Sequence, residues 1–497
     1  MALTSNLRFD VPGVYVTEDA YGAVPASLAS FGTVYMLGTS VKANAPKDTI
    51  TFVSSVADFT NVFGISPSSA SVELFFEQRS GSGLYFINVS RREQRAITIL
   101  SVTTGDIFYI FIGAQPVSVT AVDGDTQATI LAKFTKEMNV KYPQAAYIVG
   151  NVLSTIPGLT EVSCSGLVAL TPVRLPDVYP TGYDVAHTIN IAFDPDMRQG
   201  YLIAPEFFQN IVDQGNRAVV ANAMEAFAAD PEYNWMALID CGTAVATGTA
   251  VGIIPRVTTE RNIYSSPKGH GAYFFPYWKN ALNTVVPMSA SVAGVALRAY
   301  RAKGFQQPPA GTTLPVYGVI DATFNVSTKV QAVLNPIGIN CGRRLPAGRG
   351  IVIYGSRTLS TNQYYRFITT RVIMNVLAGT LKRSFDDFVF SSVDGLGILF
   401  SRVKLTCMGI CELMRTSGAL YGATPEEAYL VTCDATNNPA LDLEDGKVTV
   451  DVVVKPSPIL ETLGVRLSRA SLGTTLVEAI SSGSTSPANN AAKQEQK

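Results

Sequence analysis

At 497 residues the chain can bury a large core and holds roughly two to four domains, which excludes a small scaffold stapled by disulfides or metal. Its 38 Lys and Arg against 39 Asp and Glu leave a net charge of -1, so no global field draws it to nucleic acid or to an anionic membrane. Only 15% of residues are charged while 47% are hydrophobic, a balance that points to surface covered by partners or by copies of the chain itself.

Residues 1–20 read as an N-terminal arm in which Val14, Tyr15, Val16 and Thr17 form a short alternating strand after an aperiodic opening. Residues 21–90 begin an α/β core. The apolar run 31–38 (FGTVYMLG) predicts a strand buried on both faces; a strand at 50–53, a helical turn at 54–59, a helix over 71–79 and a strand over 84–89 complete the layer. Over 91–176 the texture changes to Thr, Val, Ile and Gly in short strands, placed at 107–112, 117–122 and 145–149. A helical window over 126–138 starts on Asp125-Thr126 and spaces Ile130, Leu131 and Phe134 helically, so this stretch reads as a β-rich insertion domain.

The core resumes over 177–455. A strand at 200–205, a helix carrying Val220, Met224 and Phe227 on one face, and a buried strand at 235–240 (WMALID) predict a parallel sheet continuing the first layer. Further on come a strand at 350–354, a helix over 364–380, and a helix over 397–416 with Leu399, Val403, Cys407, Ile410, Cys411 and Met414 on one face. Thr424-Pro425-Glu426-Glu427 reads as a capping box before a strand at 429–433.

The most informative stretch is 432–467. It runs through an Asn/Pro connector, a turn at Glu444-Asp445-Gly446, a strand with Val448, Val450, Val452 and Val454 on one face, a Pro456-Ser457-Pro458 break, and a second extended run with Leu463, Val465 and Leu467. That last run has nothing to pair with before the chain turns polar, and a strand unpaired in its own chain wants another chain. Residues 456–472 therefore read as a C-terminal arm and 473–497 as a disordered tail.

Signs of catalysis are sparse. The two histidines, His187 and His270, have no recognisable nucleophile beside them. Cys407 and Cys411 stand four apart on a helix, but no second Cys/His pair has zinc spacing; with Cys164, Cys241, Cys341 and Cys433 they read as reduced, buried thiols. No phosphate-loop motif occurs, and Gly81-Ser82-Gly83 follows a helix and precedes a strand, the reverse of a phosphate cradle. The basic stretch 341–350 reads as a solvated or subunit-contacting loop, and the aromatic run 273–278 as core or interface packing. No membrane-length apolar run and no signal-peptide core are visible, so the chain is expected to be made and kept in the cytoplasm.

Several landmarks recur in a set order: Pro12-Gly13-Val14-Tyr15-Val16, Ile203-Ala204-Pro205-Glu206, Pro287-Met288-Ser289-Ala290-Ser291, Gly304-Phe305 with Pro308-Pro309-Ala310-Gly311, Gly355-Ser356-Arg357-Thr358-Leu359, Gly418-Ala419-Leu420-Tyr421-Gly422, and Asn437-Asn438-Pro439. In this order and spacing, over most of the chain outside 91–176, the sequence resembles the contractile tail sheath proteins of bacteriophages and related injection machines. It departs from their pattern at Tyr354, at Thr369-Thr370-Arg371 and over 391–400.

The resemblance implies an α/β core built from both ends of the chain, an outward insertion domain, and extended arms that add strands to sheets of neighbouring copies. It also implies a non-enzymatic protein without cofactor or metal, forming hexameric rings stacked helically around a tail tube. The partners it implies are the tube, baseplate and tail terminator proteins, in a virion tail or injection particle assembled in the bacterial host cytoplasm, with no nucleic acid and no membrane contact. On the helix over 397–416, Arg402 and Lys404 are candidates to face the tube. The competing expectations are an α/β enzyme using a cleft near Asp240, His270 and Arg357, and a non-contracting, capsid-like scaffold.

Overall fold

The computed structural model describes residues 28, 31–112, 115–142, 146–155, 162–164, 166–174, 179–194, 196–249, 251–346 and 350–465. Two units are distinguished, Met1–Ser457 and Pro458–Lys497. The first begins with strands β1 (Thr33–Gly38), β2 (Ile50–Val53) and β3 (Leu84–Asn88), with helices Val56–Phe63 and Ser69–Glu77 between the last two. Every residue of β1 is buried, as its unbroken apolar run requires. The Ser55 hydroxyl accepts from the Asp58 amide and starts the first helix; the tight turn beyond it is made by Gly64 at φ +79°.

The chain then leaves the core. Strands β4 (Glu93–Ile99), β5 (Ile107–Ile112), β6 (Gln115–Thr120), β7 (Ala146–Val149), β8 (Val152–Thr155), β9 (Val162–Cys164) and β10 (Val168–Arg174) form two sheets, ordered β10-β4-β8-β7 and β6-β5-β9. They enclose a hydrophobic cluster of their own, which includes Ile97, Phe108, Ile110, Leu153 and, from the helix Gln127–Lys141, Ile130 and Phe134. Thr126 and Thr129 cap that helix reciprocally. Sequence reading located β5, β6, β7 and the helix but missed β4 and β8 to β10, whose Arg, Gln, Ser and Pro residues blur the alternation.

Back in the core come β11 (Gly200–Ile203), β12 (Met236–Asp240) and β13 (Gly271–Phe275). A small sheet of β14 (Trp278–Asn280), β15 (Val285–Val286) and β16 (Val319–Ala322) follows, then β17 (Ile339–Arg344) and β18 (Ile351–Tyr354). The main sheet is ordered β18-β17-β13-β12-β11-β1-β3-β2, parallel inside and antiparallel at both outer pairs. The expected parallel sheet is thus present. One expectation changes: residues 341–344 of the basic stretch are the end of β17 and not a loop. The aromatic run 273–278, read as core or interface packing, is buried core.

Helices cover both faces of this sheet. On one side Val34, Met36, Leu238 and Phe274 meet Phe59, Val72, Val292 and Val372. On the other, Tyr35, Leu37, Leu202 and Ile239 meet Val185 and Ile189 of the helix Gly182–Ala192 and Val220 and Met224 of the helix Gln214–Ala229. Each such side chain contributes about 1.5 to 3 kcal/mol on burial.

One polar cluster fastens the insertion to the core. Arg92, just before β4, donates from Nη2 to Asp48 Oδ2 at 2.8 Å, and Asp48 Oδ1 accepts from Thr188 Oγ1 at 2.6 Å and from the Ser90 amide at 3.0 Å. Tyr147 of β7 donates to Asp184 Oδ1 at 2.8 Å while its ring stacks on His187, centroids 4.1 Å apart. The Arg92 side chain is wholly buried, so its loss strands the Asp48 carboxylate. Arg92→Ala is expected to cost about 3 kcal/mol or more in urea unfolding; a change within 0.5 kcal/mol, roughly that of a surface substitution, would disprove the clamp.

Candidate assembly site

The first candidate surface is a two-stranded antiparallel sheet of β19 (Tyr429–Thr432) and β20 (Asp451–Val454), with Tyr429 opposite Val454 and Thr432 opposite Asp451. Among the described residues no further strand lies on either side of it. Val452 and Val454, together with Val450, pack on a cluster made by Ile373 and Leu377 of the helix Ile368–Phe385 and by Cys407, Ile410 and Met414 of the helix Ile398–Thr416. Val448 and Val450 pack against Leu399, Val403 and Cys433. The four valines therefore do share an inward side, while Leu430 and Val453 point out at 63% and 61% exposure.

The strand itself is shorter than its valine pattern. Val448 and Val450 precede β20, and here side chains replace the ladder: Asn438 Oδ1 accepts from the Thr449 amide at 2.6 Å, and its Nδ2 donates to the Thr449 carbonyl at 2.9 Å. Asn437 Nδ2 donates to the Thr432 carbonyl and to Asp451 Oδ2. The turn read at Glu444-Asp445-Gly446 is also different. It closes a one-turn helix, Ala440–Glu444, with Gly446 at φ +72°, inside a longer connection between β19 and β20. At Thr424 no side-chain cap forms; Glu427 instead accepts from the Ala423 amide at 2.8 Å.

Of the arm residues, Val14, Tyr15, Val16, Thr17 and Leu467 lie outside the described residues. Leu463 and Val465, in the second unit, are 74% and 72% exposed and carry no regular secondary structure. An apolar segment this exposed has its burial still to gain.

Arg402 and Lys404 do not share a side of their helix, since two residues subtend about 200°. Arg402 is exposed with its guanidinium 5.3 Å from the Phe388 ring centroid, and Lys404 is half-buried near Asp434, whose carboxyl it helps to hold below the usual range after the hydrogen bonds from Thr436. Arg402 falls on the same outward stripe as Ile398, Leu405 and Leu413, exposed at 54%, 61% and 43%.

The C-terminal edge of the main sheet is where open α/β folds bind ligands. Here three buried carboxylates fill it. Glu206 accepts from the Thr39 amide at 2.8 Å, Thr39 Oγ1 at 2.5 Å, Tyr179 Oη at 2.7 Å and Ser68 Oγ. Asp240, ending β12, accepts from the Ser289 amide at 2.9 Å and from the Ser289 hydroxyl, capping the helix Ser289–Lys303 from outside. Glu260 takes Arg217 Nη2 at 2.7 Å, Tyr273 Oη at 2.8 Å and the Gly242 amide. Gly242 allows that approach: a Cβ there would lie 2.5 Å from Arg217 Cζ.

The cleft expected near Asp240, His270 and Arg357 does not form. β12 and β13 are parallel, with Asp240 opposite Phe274, so His270 lies four residues back along the neighbouring strand, about 13 Å away. His270 Nδ1 contacts the Trp235 carbonyl at 2.8 Å, and burial holds its pKa down at about 4; Arg357 lies with its guanidinium 5.9 Å from the Phe367 ring. Among the described residues no three His, Cys, Asp or Glu side chains group as a metal site, and burial raises the thiols of Cys407 and Cys411 to about 12 and about 11.

Solved structures align with this architecture almost end to end. The contracted sheath complex of an extracellular contractile injection system, PVC, covers 93% of the chain and 99% of its own at a TM-score of 0.58 and 16% identity. The helical sheath of the anti-feeding prophage in its contracted state covers 93% and 99% at 0.56 and 20%. The fold is that of a contractile-sheath protein. In sequence, the chain is similar to the tail sheath protein of Vibrio phage KVP40, 25% identical over 279 residues, which are 50% of this chain and 40% of that relative; the chain thus matches well under two thirds of the relative's length. A chain of the anti-feeding prophage baseplate also aligns, over 93% of this chain, at 0.56. No family model matches.

Within this sheath fold, the plugging carboxylates were invisible to sequence reading because their donors come from distant segments. The landmark Ile203-Ala204-Pro205-Glu206 held one of them without showing its partners. Burial raises the Asp240 pKa to about 7. A carboxyl whose folded pKa exceeds its unfolded value favours folding while protonated, so this contribution is lost as pH rises from about 4 to about 7. His270, with its lowered pKa, has the opposite sign between about 4 and its ordinary value. Subtracting Asp240→Asn from the parent in denaturant unfolding at each pH isolates the first term. The parent is expected to lose stability relative to the variant across that window, and a flat difference curve would refute the assignment.

Proposed function

We propose that this chain polymerises into the contractile sheath of a phage tail or injection particle and, when triggered, shortens to drive an inner tube through a target cell envelope. The observation that carries the reading is the alignment of 93% of the chain with a sheath complex in its contracted state. Two features of the molecule support it. The β19–β20 sheet has edges without a strand among the described residues, and the second unit holds Leu463 and Val465 exposed.

In this reading the arm strands at Val14 to Thr17 and Leu463 to Leu467 are given to neighbouring copies, and β20 with Val448, Val450, Val452 and Val454 belongs to the receiving sheet. Ordering a residue costs about 1 to 2 kcal/mol and a ladder hydrogen bond returns about 0.5 to 1.5. Apolar burial against the neighbour supplies the difference. The core comes from residues 21–90 and 177–455, and the 91–176 insertion is displayed outward. Tube contact falls to the outward stripe around Arg402, with Lys404 at its flank. Rings of six stack helically, with baseplate and tail terminator proteins at the ends. In this reading the chain works by assembly and not by catalysis.

Electron microscopy of the purified chain tests this, with tubes of two diameters expected. Leu463→Asp/Val465→Asp replaces two exposed side chains, so unfolding free energy should stay within about 0.5 kcal/mol while tube formation is lost. Long tubes from this variant, or from a chain lacking residues 456–497, would overturn the linkage.

A further inference from the structure

A crevice of about 230 Å³ opens over the C-terminal ends of β1 and β3. Its walls are the loop after β1, with Ser40 and Lys42, the nearby Lys47, and the end of β3 with the segment after it, Asn88, Ser90 and Arg91. We propose that this crevice binds a phosphate-type oxyanion.

Charge is the first argument. Lys42, Lys47 and Arg91 are among the residues that line the crevice, and no carboxylate lines it. The nearby acids are already engaged: Asp48 by Arg92, Thr188 and the Ser90 amide, and Glu206, behind Thr39, by its four donors. Lys42 Nζ donates to the Asn61 carbonyl, a neutral acceptor that leaves its charge uncompensated. Neither Lys47 nor Arg91 forms an ion pair among the described residues.

The second argument is independent. Ser90 is 3% exposed, yet its hydroxyl has no hydrogen-bond partner among the described residues, although its amide and carbonyl are both used. A buried hydroxyl left unpaired is costly, and this one belongs to a wall of the crevice. Three cations and a buried donor suit an anion with several oxygens; charge-assisted bonds to such a group are about twice as strong as neutral ones.

The test is isothermal titration of the full-length chain with inorganic phosphate and, separately, with glycerol phosphate, at constant ionic strength set by chloride. Saturable one-site binding of phosphate is expected. It should weaken about tenfold or more in Lys47→Ala/Arg91→Ala, equivalent to about 1.4 kcal/mol, and several-fold in Ser90→Ala. Tighter binding of glycerol phosphate would support the site and identify a phosphate monoester as its source; tighter inorganic phosphate would support it with the free ion. No saturable binding, or affinity unchanged in the double variant, would overturn the proposal. Circular dichroism of each variant separates loss of the site from loss of the fold, and Lys47→Arg, which keeps the charge, should retain binding.

Discussion

The core depends on one buried carboxylate. Glu206 draws donors from three segments far apart in the chain, Thr39 after β1, Ser68 at the start of a helix and Tyr179 before another, and gives each the same acceptor. A charge with no solvent is tolerable only when its oxygens are fully hydrogen-bonded, so these segments hold their positions together or not at all. Gly38 is part of the same constraint: a Cβ on it would fall 1.9 Å from Ser68 Oγ and 2.9 Å from Glu206 Oε2.

That constraint separates two kinds of edge. Around Glu206, Asp240 and Glu260 the C-terminal edge of the main sheet is satisfied from within. The β19–β20 sheet is the reverse, anchored on one face by its valines and the helices beneath, with backbone left available at its sides. Its unsatisfied surface lies where another chain can add to it.

Much of this was legible in sequence wherever one segment carried its own signal. The run FGTVYMLG required a doubly buried strand, and the spacing from Leu399 to Met414 defined a helix face that the structure buries. The valines at 448, 450, 452 and 454 gave their shared side correctly. They did not give the length of the ladder, because Asn437 and Asn438 supply with side chains what a partner strand would otherwise supply. The capping pattern at Thr424 misled for a similar reason: Glu427 reaches the Ala423 amide and leaves Thr424 without a side-chain cap. The buried carboxylates and the crevice near Ser90 depend on tertiary convergence, which no local pattern encodes.

The alternating sides of β20 have a mechanical consequence. Side chains repeat every second residue, so a strand added to this sheet cannot creep along it by one position without turning its apolar face to water. Displacement along the join is therefore stepwise, about 7 Å at a time, and between steps the contact behaves as a detent.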